Sequence, residues 1–271
     1  MKEAKSKYYL EDYIAEVQSN GKLYFTLDDL KSKYDINYET AIKFSLNKLF
    51  KKGKIVSVYK GFYVIIPPEY RHRKIIPPEL FIDALFAYLE RPYYVGLLSA
   101  AALNGASHQQ SMEYYVFIKK PALRATNVAG LKINYVVKKA IPEFGIEKRK
   151  TDAGYINVSN AELTAIDLIA YQHRIGGLNR AATVLYELSE SMSPVKLKEI
   201  LNNDFPLSVL QRFGYIFKFV LHKRKLAKVI KSYLADKKIF RVLLKPGYKK
   251  KGFGLNNDWK VFENIKIETD F

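Results

Sequence analysis

The chain contains no cysteine, only three methionines and a single tryptophan. Without thiols it has no disulfide framework, no thiolate metal site and no cysteine nucleophile, a composition that suits a reducing compartment. It has no run of about 18 consecutive apolar residues of the kind that spans a bilayer. Its first residues, MKEAKSKYYLEDY, lack the apolar core of a signal peptide. A cytoplasmic protein with no membrane partner is expected. The four histidines, His72, His108, His173 and His222, show neither HExxH nor any other ligand spacing, so neither a metal nor a cofactor is expected. The loop GYKKKGFG tempts a phosphate-loop reading, but Gly252 is followed by Phe253 where a Walker loop needs Lys and then Ser or Thr.

Acidic residues are also in short supply. The 271 residues carry 45 Lys and Arg against 27 Asp and Glu, a formal net charge of +18. Such an excess repels itself unless a polyanion is near, and nucleic acid is the first candidate. The charge is unevenly placed. Residues 1–75 are +6, 76–217 only +2, 218–251 reach +12 with 13 cations against one acid, and the last twenty are −2. The hydrophobic fraction of 48% supports at least one sizeable core.

A segment with a proline pair at each end, PPEYRHRKIIPP (67–78), reads as a linker, because proline fixes φ and disfavours helix in the residue before it. Cutting near it gives a domain of 1–75 and a larger one of 76–271. In the first, Leu10, Tyr13, Ile14 and Val17 share one helical face. TLDD starts a second helix with Thr26 as N-cap and Asp29 three residues on, in capping-box spacing. A third helix follows Asn37 and runs to about Lys52, with Ile42, Leu46, Leu49 and Phe50 expected inside and Phe44 expected to pack. KKGKIVSVYKGFYVII (51–66) is a hairpin closed at Tyr59-Lys60-Gly61.

This order is that of a winged helix-turn-helix. The third helix is then the recognition helix, with Tyr38, Thr40, Lys43 and Asn47 offering hydroxyl, ammonium and amide groups to base edges. Lys51 and Lys52, with Tyr59 and Lys60 on the wing, are expected on phosphates, and Arg71 and Arg73 extend that contact.

Beyond the linker, 79–90 and 93–106 read as helices, and 113–120, 131–139 and about 154–158 as strands. Three helical segments follow from Asn160, Leu178 and Ser193, then a long basic helix from about 207 to 235, then strand near FRVLLKP and WKVFENIKIE. Ser159 or Asn160 caps the helix that contains Glu162 and Asp167, two acids with no clear catalytic pairing. The class is α+β, a winged helix-turn-helix followed by a larger mixed α/β domain.

Several stretches resemble the AbiEi family nearly end to end. They are FTLDDLKSKY, GKIVSVYKGFYVI, PYYVGLLSAAALNGASHQQ, VSNAELTAIDLIAYQHRIGGLNRAATVLYEL and WKVFENIKIETD. These are antitoxins of abortive-infection type IV toxin-antitoxin systems. The resemblance implies a head that represses its own operon by binding inverted repeats in the promoter. It also implies a C-terminal antitoxin domain that counters a nucleotidyltransferase-like toxin encoded next door, generally without a stable complex.

The basic stretch is denser here than the family pattern implies. Lys218, Lys225, Lys228 and Lys231, with Lys249, Lys250 and Lys251, form a second basic surface expected to meet promoter DNA or an RNA. The rival readings are a stand-alone winged-helix regulator, a direct toxin-binding module and a DNA-acting nuclease. The nuclease needs clustered carboxylates for metal ions, and the acidic-x-Lys pieces Glu3-Ala4-Lys5, at the start of the chain, and Asp236-Lys237-Lys238, beside the basic helix, are poor contexts for one.

Overall fold

The structure, a computed structural model, describes residues 10–34, 39–106, 113–248 and 252–268. The head comprises α1 (Leu10–Ser19), β1 (Tyr24–Thr26), α2 (Leu27–Lys33), α3 (Glu39–Lys51), β2 (Ile55–Tyr59) and β3 (Phe62–Ile65). Its antiparallel sheet has the order β1-β3-β2. The cap expected at Thr26 is present in full: Asp29 N–H donates to Thr26 Oγ1 at 3.1 Å, and Thr26 N–H donates to Asp29 Oδ2 at 2.7 Å. α3 ends in a Schellman arrangement, with Gly53 N–H on the Phe50 carbonyl and Lys54 N–H on the Leu49 carbonyl. Ile42, Leu46 and Leu49 join Leu10, Tyr13, Ile14, Val17, Phe25 and Leu30 in the head's core. Phe50 does not. At 100° per residue it lies about 80° round from Ile42, and it is 56% exposed.

The body is built on a six-stranded mixed sheet of order β6-β7-β5-β4-β9-β8, formed by β4 (Tyr93–Val95), β5 (Glu113–Ile118), β6 (Thr126–Val128), β7 (Leu131–Val137), β8 (Ile146–Thr151) and β9 (Gly154–Ser159). β5 runs parallel to β7, and β4 parallel to β9, while the other neighbours are antiparallel. The pleat divides β5 cleanly. Tyr115 and Phe117 face one core and Tyr114, Val116 and Ile118 the other.

On the first side lie α5 (Leu97–Leu103), α6 (Ala161–Ala170), α7 (Leu178–Leu188), α8 (Pro194–Ile200), α9 (Leu207–Tyr215) and α10 (Arg224–Leu234). Among them, α6 is buried from Ala161 to Ile169. A small sheet of β10 (Val242–Leu243), β11 (Leu255–Asn256) and β12 (Val261–Phe262) closes the chain. Trp259, only 1% exposed, packs against α9, where a Cβ on Gly214 would come within 1.9 Å of the indole.

The second side is covered by α4 (Ile82–Tyr88) and by the head's own hairpin. Val56, Val58, Phe62, Val64 and Ile66 share one cluster with Phe81, Leu85, Phe86, Tyr114 and Val116. Ile75 and Ile76, inside the proline-flanked segment, are buried in that cluster too. The core is therefore continuous across residue 75.

In the body two expectations need correction, and two strands were missed. Residues 93–95 are an internal strand rather than the start of a helix, because a strand buried on both faces carries an unbroken apolar run that helical spacing also accommodates. β6 and the charged edge strand β8, IEKRKT, were not anticipated. The helix expected over 207–235 is two helices joined by a π-turn at Ile216–Val220, and at His222 the backbone enters the left-handed region with φ 57°.

Candidate nucleic-acid interface

With Ile42, Leu46 and Leu49 turned inward, helical geometry puts Thr40, Asn47 and Lys51 on the opposite side of α3. All three are exposed, as is Lys43 at the flank. These four sequence-expected residues are thus displayed by one helix. Tyr38 lies outside the described residues. Lys52 is turned the other way, onto Glu11 of α1 at 2.9 Å, with Lys54 on the same carboxylate at 3.5 Å. The bond from Lys52, followed by the nearby charge of Lys54, holds the Glu11 carboxyl below its usual range. Lys52 therefore ties α3 to α1.

At the wing, Lys60 is exposed at the turn, whereas Tyr59 is half-buried and packs with the cluster beneath the sheet. The hairpin is pinned to the body. Thr126 Oγ1 donates to the Val58 carbonyl at 3.1 Å, and Tyr88 Oη to the Lys60 carbonyl at 3.4 Å. Gly61, at φ 77°, leaves room for the Tyr88 hydroxyl, which a Cβ there would meet at 2.6 Å. Arg71 and Arg73 are exposed on a segment that leaves β3 beside the end of α3, where Ile66 N–H donates to the Lys54 carbonyl at 2.8 Å.

The second basic surface is arranged differently. Lys225 and Lys228 are exposed on α10. Lys218 forms an ion pair with Asp258 at 2.6 Å, and Lys231 bonds the Asp258 carbonyl oxygen while lying 5.2 Å from the centre of the Trp259 ring. The Lys218 ammonium holds the Asp258 carboxyl below its usual range. Lys249, Lys250 and Lys251 lie outside the described residues. Within this stretch and the loop after it, four aromatics are exposed: Phe219, which helical spacing assigns to the apolar stripe of the basic helix, and Phe240, Tyr248 and Phe253. Lys245 sits 3.8 Å from the centre of the Tyr248 ring.

A buried polar network was also missed in sequence. Asp167, 1% exposed, accepts from Tyr94 Oη at 2.7 Å and from Lys138 Nζ at 2.7 Å, and Lys138 also donates to Tyr94 Oη at 2.9 Å. Burial, with Asp167 beside it, pushes the Tyr94 phenol well above its usual range, so it remains a neutral donor. The Phe117 ring centre lies 5.1 Å from the same ammonium. Tyr94 in β4, Lys138 just past β7 and Asp167 in α6 are far apart in the chain and gave no local spacing to detect.

The other acid in α6 is structural. Glu162 accepts the Ser193 N–H at 2.6 Å, and Asn160, rather than Ser159, caps the helix by accepting Leu163 N–H at 3.0 Å. Among the described residues, no group of three or more His, Asp or Glu side chains is placed to hold a metal ion, and no helix is long and apolar enough to cross a membrane.

Residues 94–219, which contain this network, match the family model of the AbiEi antitoxin C-terminal domain. The chain carries an AbiEi antitoxin C-terminal domain. The AbiEi domain thus runs from β4 through α9 into the π-turn. The whole chain is similar to a crystal structure of the RV2827C protein from Mycobacterium tuberculosis, with a TM-score of 0.65 over 93% of this chain and 90% of that one, at 16% identity. At that identity the likeness shows the shared fold. No curated protein matches the chain at a significant level. The α+β class, with a winged-helix-like head before a larger mixed α/β body, agrees with the sequence reading.

Proposed function

We propose that this AbiEi protein is the cytoplasmic antitoxin of a type IV toxin-antitoxin pair acting in abortive infection, a form of phage defence. In this reading it also represses its own operon. The head (1–75) binds inverted repeats in the promoter, and the antitoxin domain (76–271) counters a nucleotidyltransferase-like toxin encoded next door. No catalysis and no cofactor are involved. The observation that carries the reading is the exposed face of α3, where Thr40, Lys43 and Asn47 can meet base edges and Lys51 a phosphate. Lys60, Arg71 and Arg73 supply further phosphate contacts.

Two heads, on a dimer or on cooperating monomers, occupy half-sites spaced by about one helical turn, roughly 10 base pairs, or a multiple of it. The exposed Phe219, Phe240 and Tyr248, each with a lysine ammonium of the same stretch near its ring, favour a nucleic acid there as well, since bases stack on such rings. The test is a gel shift of the promoter fragment combined with co-expression of the adjacent gene. Specific retardation of the promoter and rescue from the neighbour's toxicity are expected. Retardation without rescue leaves a stand-alone regulator, co-purification of the neighbour's product indicates direct toxin binding, and magnesium-dependent cleavage of plasmid DNA would make the protein a nuclease.

A further inference from the structure

The outward side of α3 carries one residue that the polar reading of that face does not absorb. Phe44, expected from sequence to pack, is instead 73% exposed and lies one turn after Thr40, three residues before Asn47 and seven before Lys51. Helical geometry puts it on the outward face, about 170° from the middle of the buried Ile42, Leu46 and Leu49. An aromatic ring left in water in the middle of a polar and cationic face gains most from a partner that offers an apolar group within an otherwise anionic surface. A second copy of this chain would bring Lys43, Lys48 and Lys51 against their own counterparts, like charges against like. The major groove of duplex DNA combines both properties, because thymine presents its C5-methyl among phosphates and base-edge acceptors.

We infer that Phe44 is a specificity-determining residue that packs on thymine methyl groups in the operator, so that binding depends on thymine rather than only on charge. This rests on the reading of α3 as the groove-facing helix. Phe50, well round the helix from this face, takes no part in it.

The experiment uses the full chain to select bound duplexes from a random pool, then compares the selected duplex with the same duplex made with deoxyuridine in place of thymine. Deoxyuridine removes the methyl and leaves the hydrogen-bonding edge unchanged. Wild-type affinity should fall about fourfold for each contacted methyl. Phe44→Ala should bind both duplexes equally, whereas Phe44→Leu, still apolar, should retain part of the preference.

Thermal unfolding of the Phe44→Ala variant should match wild type, since the side chain leaves no hole in the core. Equal wild-type affinity for the two duplexes overturns the assignment while leaving the helix in the groove. An unchanged thymine preference in Phe44→Ala also overturns it, because another residue then reads the methyl. A change of oligomeric state in Phe44→Ala, seen by sedimentation, places a second copy on this face instead. Failure of the wild-type chain to enrich any duplex removes the groove reading itself and this inference with it.

Discussion

On α3, Thr40, Lys43, Asn47 and Lys51 project from a helix whose other side is sealed by Ile42, Leu46 and Leu49, whereas in the C-terminal stretch Lys218 and Lys231 both turn onto Asp258. Lys223, from the same stretch, pairs with Glu190 of the AbiEi domain. The stretch 218–251 holds 13 cations against one acid, yet its counterions come from outside it, from Asp258 and Glu190. A count over a window of sequence measures the charge that is encoded, not the charge that is displayed. The head also ties Lys33, Lys52 and Lys54 to Glu16 and Glu11, but it keeps Lys43, Lys48 and Lys51 exposed along one helix beside Thr40 and Asn47, so it is the stronger candidate for reading a duplex.

Lys138 is held by Asp167, Tyr94 and the Phe117 ring, and breaking its contacts should have the largest effect. Asp167→Ala leaves that ammonium under the Tyr94 and Phe117 rings without its carboxylate, which should cost about 3–5 kcal/mol of stability in urea unfolding. Replacing both partners by apolar residues, Lys138→Met with Asp167→Leu, should recover most of that loss. A loss below about 1 kcal/mol for Asp167→Ala would show that water reaches the pair freely.

The displayed cations should behave in the opposite way. Lys43→Glu with Lys51→Glu should leave the unfolding midpoint almost unchanged, because both side chains are exposed. Promoter affinity should fall roughly 10- to 100-fold, and the log-log salt slope should shrink by about 0.9 for each phosphate no longer neutralised. Parallel declines in stability and affinity would mean that these lysines are structural.

This contrast also marks how far the sequence could be read. Thr26 and Asp29 were legible because a capping box is a local pattern of four residues, and both of its hydrogen bonds are present. Ile42, Leu46 and Leu49 were legible because their spacing stays within 60° of arc on the helix. Phe50 extends the same apolar series but falls outside that arc.

The wing hairpin was legible as a hairpin, yet the seating of its Val56, Val58, Phe62 and Val64 against the body's sheet was not. That packing joins residues far apart in the chain and leaves no periodic trace. The partners of Lys218 and Lys231 were hidden for the same reason, since Asp258 is 40 and 27 residues away.

A smaller effect tests whether the head's display depends on its local architecture. Thr26→Ala removes the acceptor for Asp29 N–H at the start of α2 and should cost about 1 kcal/mol. Because α3 is held separately by Lys52 on Glu11 and by its own core side, promoter affinity of the folded protein should stay within about twofold. A larger drop in affinity would mean that the α2 cap also sets the angle of α3.

The smallest expected change in stability is also the one that most sharpens the comparison. Asp258→Ala removes the partner of Lys218, an exposed pair worth no more than about 1 kcal/mol. The carboxyl is held below its usual 3.8, so the pair's contribution is present above that pH and fades as the pH falls through the lower folded value. Wild type and variant should therefore differ slightly at neutral pH and converge in strong acid. Nucleic-acid binding should move the other way. Released from Asp258, Lys218 adds to the field around Lys225 and Lys228, so affinity at low salt should rise a few-fold with a steeper salt dependence. A fall in affinity would show instead that Asp258 positions Lys218 for contact, and that the C-terminal surface, like α3, presents its cations by design.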